Sequence, residues 1–302
     1  MGGAALRRAW ALAILASACT AGPDHERLGD RRYADHAFVD ALAEYRLAMQ
    51  LRRPDYELRA KFAQAALRSG ALSDAVIAYR DLAKAEPAAL DEAADGLTRA
   101  AELAVGARDM GALTDAMVAL HDVAPQRPVG ALVVALGASS TALAKRPEAM
   151  NVLLEAAAAA PTAAAADSFL LAYGDVNARL GRCDLGSRVY AGVLRRNTLP
   201  ALARAAQGGL AWCAVADGRL SLSAGALGDA AAQFRRAIAI GVPDSTVRMA
   251  WLLLGDTRWA DGDTVQALDS YRHAVAGGGE QDPIVLRATE QLDRLLKGKA
   301  AP

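Results

Sequence analysis

Along this chain a small residue is followed twelve positions later by a second small residue, and four beyond that by a large apolar one. The clearest copy runs Trp251, Leu254, Gly255, Gly262, Ala267, Tyr271, Ala274. Spacings of three, four and seven hold residues on one helix face. Where one helix presents Gly or Ala, its neighbour can drop a ring into the gap, so the pattern predicts closely packed helical hairpins. Other copies read Gly218, Gly225, Ala230, Phe234, Ala237, and Leu170, Gly174, Gly181, Gly186, Tyr190. Nearer the start come Gly29, Ala41, Tyr45, Ala48, then Phe62, Ala63, Gly70, Ala75, Tyr79. In the middle, Ala104, Gly111, Ala116, Leu120 and Gly137, Ala149, Leu153 keep the spacing without the ring.

The first small residues stand at 29, 63, 104, 137, 174, 218 and 255, so the period is 33 to 44 residues. That is the period of a stacked hairpin array. Pro54, Pro87, Pro161, Pro200 and Pro243 fall where second helices should end, since proline lacks the N–H that would continue them. Gly70, Gly111, Gly181, Gly225 and Gly262 fall in the turns between paired helices, where a left-handed residue is favoured. No stretch alternates with period two, so the chain reads as all α. The alanine run from Glu155 to Ala166, broken by Pro161, reads as two helix ends meeting. Beyond Gly279, Asp282 and Pro283 look like an N-cap and first helical residue, ahead of an apolar stripe of Ile284, Val285, Ala288, Leu292 and Leu295. A terminal repeat must cover its open face, and one extra amphipathic helix does so.

The Gly255 unit resembles the tetratricopeptide repeat, and the resemblance covers roughly residues 22–280. It implies a right-handed α-α superhelix of about seven hairpins over 19–280, with a capping helix and frayed tail over 281–302. It also implies that the first (A) helices line a concave groove for an extended peptide or a partner helix. Residues one and four past each small anchor, and three before it, project to that groove. They are Asp30 and Tyr33, Gln64 and Leu67, Arg108, Asp175, Arg219 and Leu222, and Asp256 and Trp259, with Glu26, Ala60, Leu171, Val215 and Leu252 preceding. Arg68 and Arg179 lie at its margin. Trp259, with Leu222 and Leu252, reads either as a contact hot spot or as packing on the capping helix. Trp251 reads as core. The lysine–asparagine clamp by which some family members hold a peptide carboxylate is missing: Ala60, Ala63 and Ala101 are among the residues in its place.

Arg7 and Arg8 precede the apolar stretch Ala9–Leu15, which ends in Ala16-Ser17-Ala18-Cys19. Basic start, short apolar core and small-residue cleavage site make a secretory leader, over 1–18. The apolar core is well short of the ~20 residues of a spanning helix. The cysteine after the small residues makes the segment resemble a bacterial lipoprotein signal, with Cys19 implied as the acylated mature N-terminus. The other reading is an ordinary secreted leader cut nearby. Thr20, where enteric lipoproteins retained at the inner membrane carry aspartate, favours the outer membrane, facing the periplasm.

Charge and chemistry narrow the function. The 34 basic and 34 acidic residues become 32 and 34 once Arg7 and Arg8 leave with the leader. That balance argues against nucleic acid, which needs a clustered basic surface. A hydrophobic share of 53% with 5% aromatic fits close-packed small-residue helices, not disorder. Cys183 follows one turn and Cys213 precedes the next by about a dozen residues, roughly 18 Å along a helix. A bridge needs Cα atoms within about 7 Å, so two buried thiols are expected. His25, His36, His121 and His273 show no paired metal-ligand spacing, and there is no nucleophile elbow or phosphate loop. No metal, cofactor or catalytic role follows. An active site could only come from Arg108, Asp109, Asp115, His121 and Asp122 in the divergent middle.

The resemblances together imply a membrane-anchored scaffold for protein partners in envelope machinery, such as pilus or secretion-system assembly. Adaptors for β-barrel assembly, for cell-wall hydrolases or for proteases share the architecture, as does a released periplasmic binding module.

Overall fold

The computed structural model describes residues 24–129, 132–137, 143–196 and 199–298. Among them are fifteen α-helices and no strand. The chain divides into two compact units at Pro125 and Gln126. The first holds α1 (His25–Ala34), α2 (Phe38–Leu51), α3 (Tyr56–Ser69), α4 (Leu72–Ala85), α5 (Leu90–Ala107) and α6 (Met110–Val123). The second holds α7 (Leu132–Gly137), α8 (Met150–Ala158), α9 (Ala163–Arg179), α10 (Cys183–Arg195), α11 (Pro200–Ser223), α12 (Leu227–Ile240), α13 (Asp244–Ala260), α14 (Thr264–Val275) and α15 (Pro283–Leu296). Successive helices within each unit pack as hairpins stacked side by side, the all-α architecture of the tetratricopeptide type. Part of the fourth hairpin, 138–142, lies outside the described residues, as do the leader and Cys19.

Short polar side chains start the helices. Asp24, Asp55, Asp109, Thr162, Asp263 and Asp282 each accept a hydrogen bond from a backbone N–H of the first turn. Each such cap contributes about 1 kcal/mol. The alanine run resolves into the end of α8 and the start of α9, with Thr162 as cap. Pro200 is the first residue of α11 and Pro243 the N-cap of α13, so these prolines open the next helix as much as they close the last.

The turns follow the expectation at four hairpins. Gly70, Gly181, Gly225 and Gly262 have φ between 75° and 85°, where a Cβ would be strained. Two hairpins depart. His36 (φ 60°) takes the left-handed position between α1 and α2, and Arg108 (φ 57°) takes it between α5 and α6. Gly111 therefore lies inside α6, and Arg108 is a helix C-cap in the turn, not a residue of the A-helix face. The residue pattern there had been read three positions too far on.

The core is made by rings set against glycines. A Cβ built on Gly29, Gly174, Gly218 or Gly255 would lie 2.5 to 2.7 Å from the ring of Tyr45, Tyr190, Phe234 or Tyr271 respectively. Backbone and ring thus touch, and nothing larger than glycine fits without displacement. Tyr190 presses on Gly209 of α11 as well as Gly174 of its own hairpin, and Tyr79 presses on Gly96 of α5. One ring can therefore join a hairpin to the next.

The cysteine expectation is overturned. Cys183 and Cys213 form a disulfide, with Cα atoms 5.3 Å apart. The 18 Å figure measured along one helix from its turn. Cys183 opens α10, and α11 runs back antiparallel beside it, which brings residue 213 level with residue 183. Distance along a helix says nothing about distance across a hairpin.

At the C-terminus α15 lays Ala288, with Ile284, Leu292 and Leu295, against Leu252, Trp259 and Tyr271, and buries Val285 beside Gly278. Trp251 is half-buried between this cluster and the one around Phe234, and stacks on His273.

Candidate functional site

In three hairpins the residue after the anchor glycine is aspartate, and it meets the hydroxyl of the ring fifteen positions on. Tyr45 donates to Asp30 (2.8 Å), Tyr190 to Asp175 (2.6 Å) and Tyr271 to Asp256 (2.8 Å). Where the ring is Phe234, with no hydroxyl to satisfy, the residue after Gly218 is Arg219. A buried hydroxyl needs an acceptor, and the carboxylate beside the glycine supplies it. Burial raises the pKa of Asp175 and Asp256 from its ordinary value, against the pull of the hydrogen bonds they accept. The same burial, helped by the carboxylates, raises the Tyr45, Tyr190 and Tyr271 hydroxyls well above 10. Asp175 and Asp256 are therefore partners of the core rings first, and only marginally available to a ligand.

The other residues projected to the groove divide. Leu252 (1% exposed), Asp256 (7%) and Trp259 (6%) are closed off beneath α15. Trp259 meets Tyr271 edge-on at 6.3 Å and carries the Arg294 guanidinium over its face, while Arg287 donates to Asp256 at 3.1 Å. Of the two readings of Trp259, the structure takes packing on the capping helix. Leu67 is buried in α3, and Leu222 is half-buried against the Phe234 cluster. Gln64 is exposed and reaches Glu92 at 3.4 Å. Tyr33 is half-buried beside Phe38, near the first turn. Arg219 is exposed on α11 without a hydrogen bond or ion pair.

The projection missed Trp212. It lies on α11 seven residues before Arg219, two turns and about 20° away, and is 50% exposed. Leu220, beside Arg219, is 67% exposed. A tryptophan and an arginine thus share one open face of this A helix, with Leu220 about 100° round from Arg219. The signal was in the sequence: the helical phase needed extending one turn further toward the N-terminus than three residues before the glycine.

Much of the remaining charge is spent internally. Lys61 of α3 reaches Glu26 at 2.9 Å and Asp30 and Glu57 at 3.0 Å, and Arg52 pairs with Glu26. Arg196 pairs with the buried Asp167, and Asp109 is consumed as a helix cap. Among the described residues no group of three or more His, Cys, Asp or Glu side chains is placed to hold a metal ion. No described helix is long and apolar enough to cross a membrane.

No family model matches this chain, and no curated protein matches it. Among solved structures it is similar to a tetratricopeptide repeat protein from Parabacteroides merdae, at 15% identity over 91% of this chain and 100% of that one, with a TM-score of 0.32. The tetratricopeptide domain of P58(IPK) is 14% identical over 91% of this chain and 98% of its own, with a TM-score of 0.33. The C-terminal part of a tetratricopeptide protein from Cytophaga hutchinsonii is 13% identical over 86% and 98%, with a TM-score of 0.39. Likenesses this distant add no weight, and the assignment of the fold rests on the stacked hairpins and the glycine–ring packing within four of them.

Proposed function

We propose that this chain is a protein-binding scaffold of the bacterial cell envelope, anchored through lipid at Cys19 and facing the periplasm, and serving machinery such as pilus or secretion-system assembly. The observation that carries the binding role is the open face of α11, where Trp212 and Arg219 stand in solvent and the arginine has no hydrogen bond or ion pair among the described residues. Tryptophan and arginine are the residues that most often dominate protein interfaces. The envelope address is supported by the leader that ends at Cys19. It is supported independently by the Cys183–Cys213 bridge, since disulfides persist in oxidising compartments.

Crosslinking in intact envelopes, followed by mass spectrometry, tests the scaffold. Pilus, secretion or barrel-assembly subunits joined to α11 peptides would bear it out and name the machine. Self-crosslinks alone would sink it. Cys19→Ser should release the protein from the membrane fraction; unchanged fractionation would refute the lipid anchor. A non-reducing peptide map of the native protein should join the Cys183 and Cys213 peptides, and free thiols at both positions would remove the second support for export.

A further inference from the structure

The first hairpin turn places a side chain where four other hairpins have glycine. Tyr33, Ala34, His36, Phe38 and Arg68 line an open pocket of about 260 Å³. Phe38 stands edge-on to both Tyr33 (5.1 Å) and His36 (5.6 Å), giving an aromatic floor. Arg68, from the last turn of α3, joins the rim with no hydrogen bond or ion pair, and the His36 imidazole likewise makes no hydrogen bond. His36 also holds the left-handed conformation that four other hairpins give to glycine, and so puts a ring where they have none.

From this geometry we infer that the pocket binds a short acidic–apolar segment of a partner polypeptide, its carboxylate against Arg68 and His36 and its apolar side chain against Tyr33 and Phe38. The inference rests on the reading of the chain as a peptide-binding scaffold. Charge complementarity selects the carboxylate: an unpaired guanidinium forms its strongest contact with one, and the imidazole offers an N–H donor in either charge state. Size selects the peptide. The volume lies below the ~300–1,000 Å³ of pockets that enclose a whole small molecule, and suits one or two side chains. The pocket belongs to the first compact unit and α11 to the second.

The test is titration of the full chain, with histidine ring resonances observed by NMR, using two probes: acetyl-Phe-Glu-amide and acetyl-Phe-Gln-amide. The acidic peptide should shift the His36 resonances saturably at millimolar concentration, and the amide should bind at least about tenfold more weakly, as expected for a charge-assisted hydrogen bond. Arg68→Gln should weaken the acidic peptide about tenfold and leave the amide unchanged. His36→Gly, read through the Tyr33 and Phe38 ring resonances because the reporting imidazole is gone, supplies a second variant: glycine relaxes the turn, so the protein should melt at or above the wild-type temperature while binding falls. Equal response to both peptides, undiminished binding in Arg68→Gln, or no saturable shift would each overturn the inference. Such a failure leaves the scaffold reading standing if α11 still crosslinks to envelope subunits, whereas loss of those crosslinks with the pocket titration intact sinks the scaffold alone.

Discussion

The first and last hairpins are built on one plan and finished differently. Both set a tyrosine against a glycine and satisfy its hydroxyl with the next residue, Asp30 for Tyr45 and Asp256 for Tyr271. In each, a cation thirty-one residues past the aspartate returns to it: Lys61 to Asp30 and Arg287 to Asp256. Lys61 belongs to the A helix of the next hairpin, but Arg287 belongs to α15. The capping helix therefore occupies the place, and supplies the charge, that the A helix of the second hairpin has for the first. The fifth hairpin shows what happens without that cation. Thirty-one residues past Asp175 stands the buried Ala206, and Asp175 has only Tyr190 and the more distant Arg179 to offset its burial.

If α15 stands in for an A helix, its removal should damage the last hairpin far more than an ordinary frayed tail would. Ending the chain at Gly279 uncovers Leu252, Trp259 and Tyr271. From the apolar area of a few side chains the loss should be on the order of 3 kcal/mol. Chemical denaturation would read it, together with a red shift in tryptophan emission as Trp259 meets water. Unchanged stability would mean that α15 is an appendage.

The shared glycine–ring contact should make Gly29→Ala and Gly255→Ala alike. Alanine gains about 1 kcal/mol of helix propensity, while forcing a Cβ against a packed ring costs about 1–3 kcal/mol, so a net loss of about 1 kcal/mol should appear at both ends. Gly106→Ala in α5, where a Cβ meets nothing within 4 Å, supplies the opposite sign. It should stabilise by up to about 1 kcal/mol. A stabilising Gly255→Ala would show that the ring can move aside.

The two cations should differ. Asp256 is buried and Asp30 is not, with side-chain exposures of 8% and 42%. Arg287→Met leaves a buried carboxylate with only the Tyr271 hydroxyl, for a loss of about 1–2 kcal/mol after allowing for the exposed arginine. Lys61→Met strands partly solvated acids and should cost under about 1 kcal/mol. Reversed magnitudes in urea melts would break the equivalence of α15 with an A helix.

These devices were unevenly legible in the sequence. Glycine, alanine, ring and proline spacing gave the hairpins, because close helix packing admits few residue types at those places. The α15 stripe was equally plain. The groove was not, because phase along one helix says which residues share a face and nothing about what covers it. Trp259 and Leu252 carry the right phase and lie under α15, whereas Trp212 and Arg219 carry it and stand open. The disulfide failed to show for a related reason, since its two halves meet across antiparallel helices. The turn at Arg108 misled because Gly111 stood close enough to suggest the usual glycine.

The tyrosine hydroxyl itself contributes little at neutral pH and is separable by its pH dependence. The folded-state pKa of Tyr271 is raised above 10 by burial and by Asp256, so the folded protein holds this proton more tightly than the unfolded chain. The stability it contributes is complete below about pH 10 and is lost as pH rises from there through the folded pKa. Asp256 is raised too, from 3.8, so its own proton-linked contribution is present below that value and gone once pH passes its folded pKa. It is therefore silent in the alkaline window. Tyr271→Phe should cost about 1 kcal/mol at pH 7, the net value of one hydrogen bond. It should also flatten the fall in melting temperature between pH 9 and 11 relative to the wild type. Tyr45→Phe should flatten it likewise, because Asp30 holds Tyr45 in the same way. If only one variant flattens the curve, the first and last hairpins share a sequence pattern without sharing its energetics.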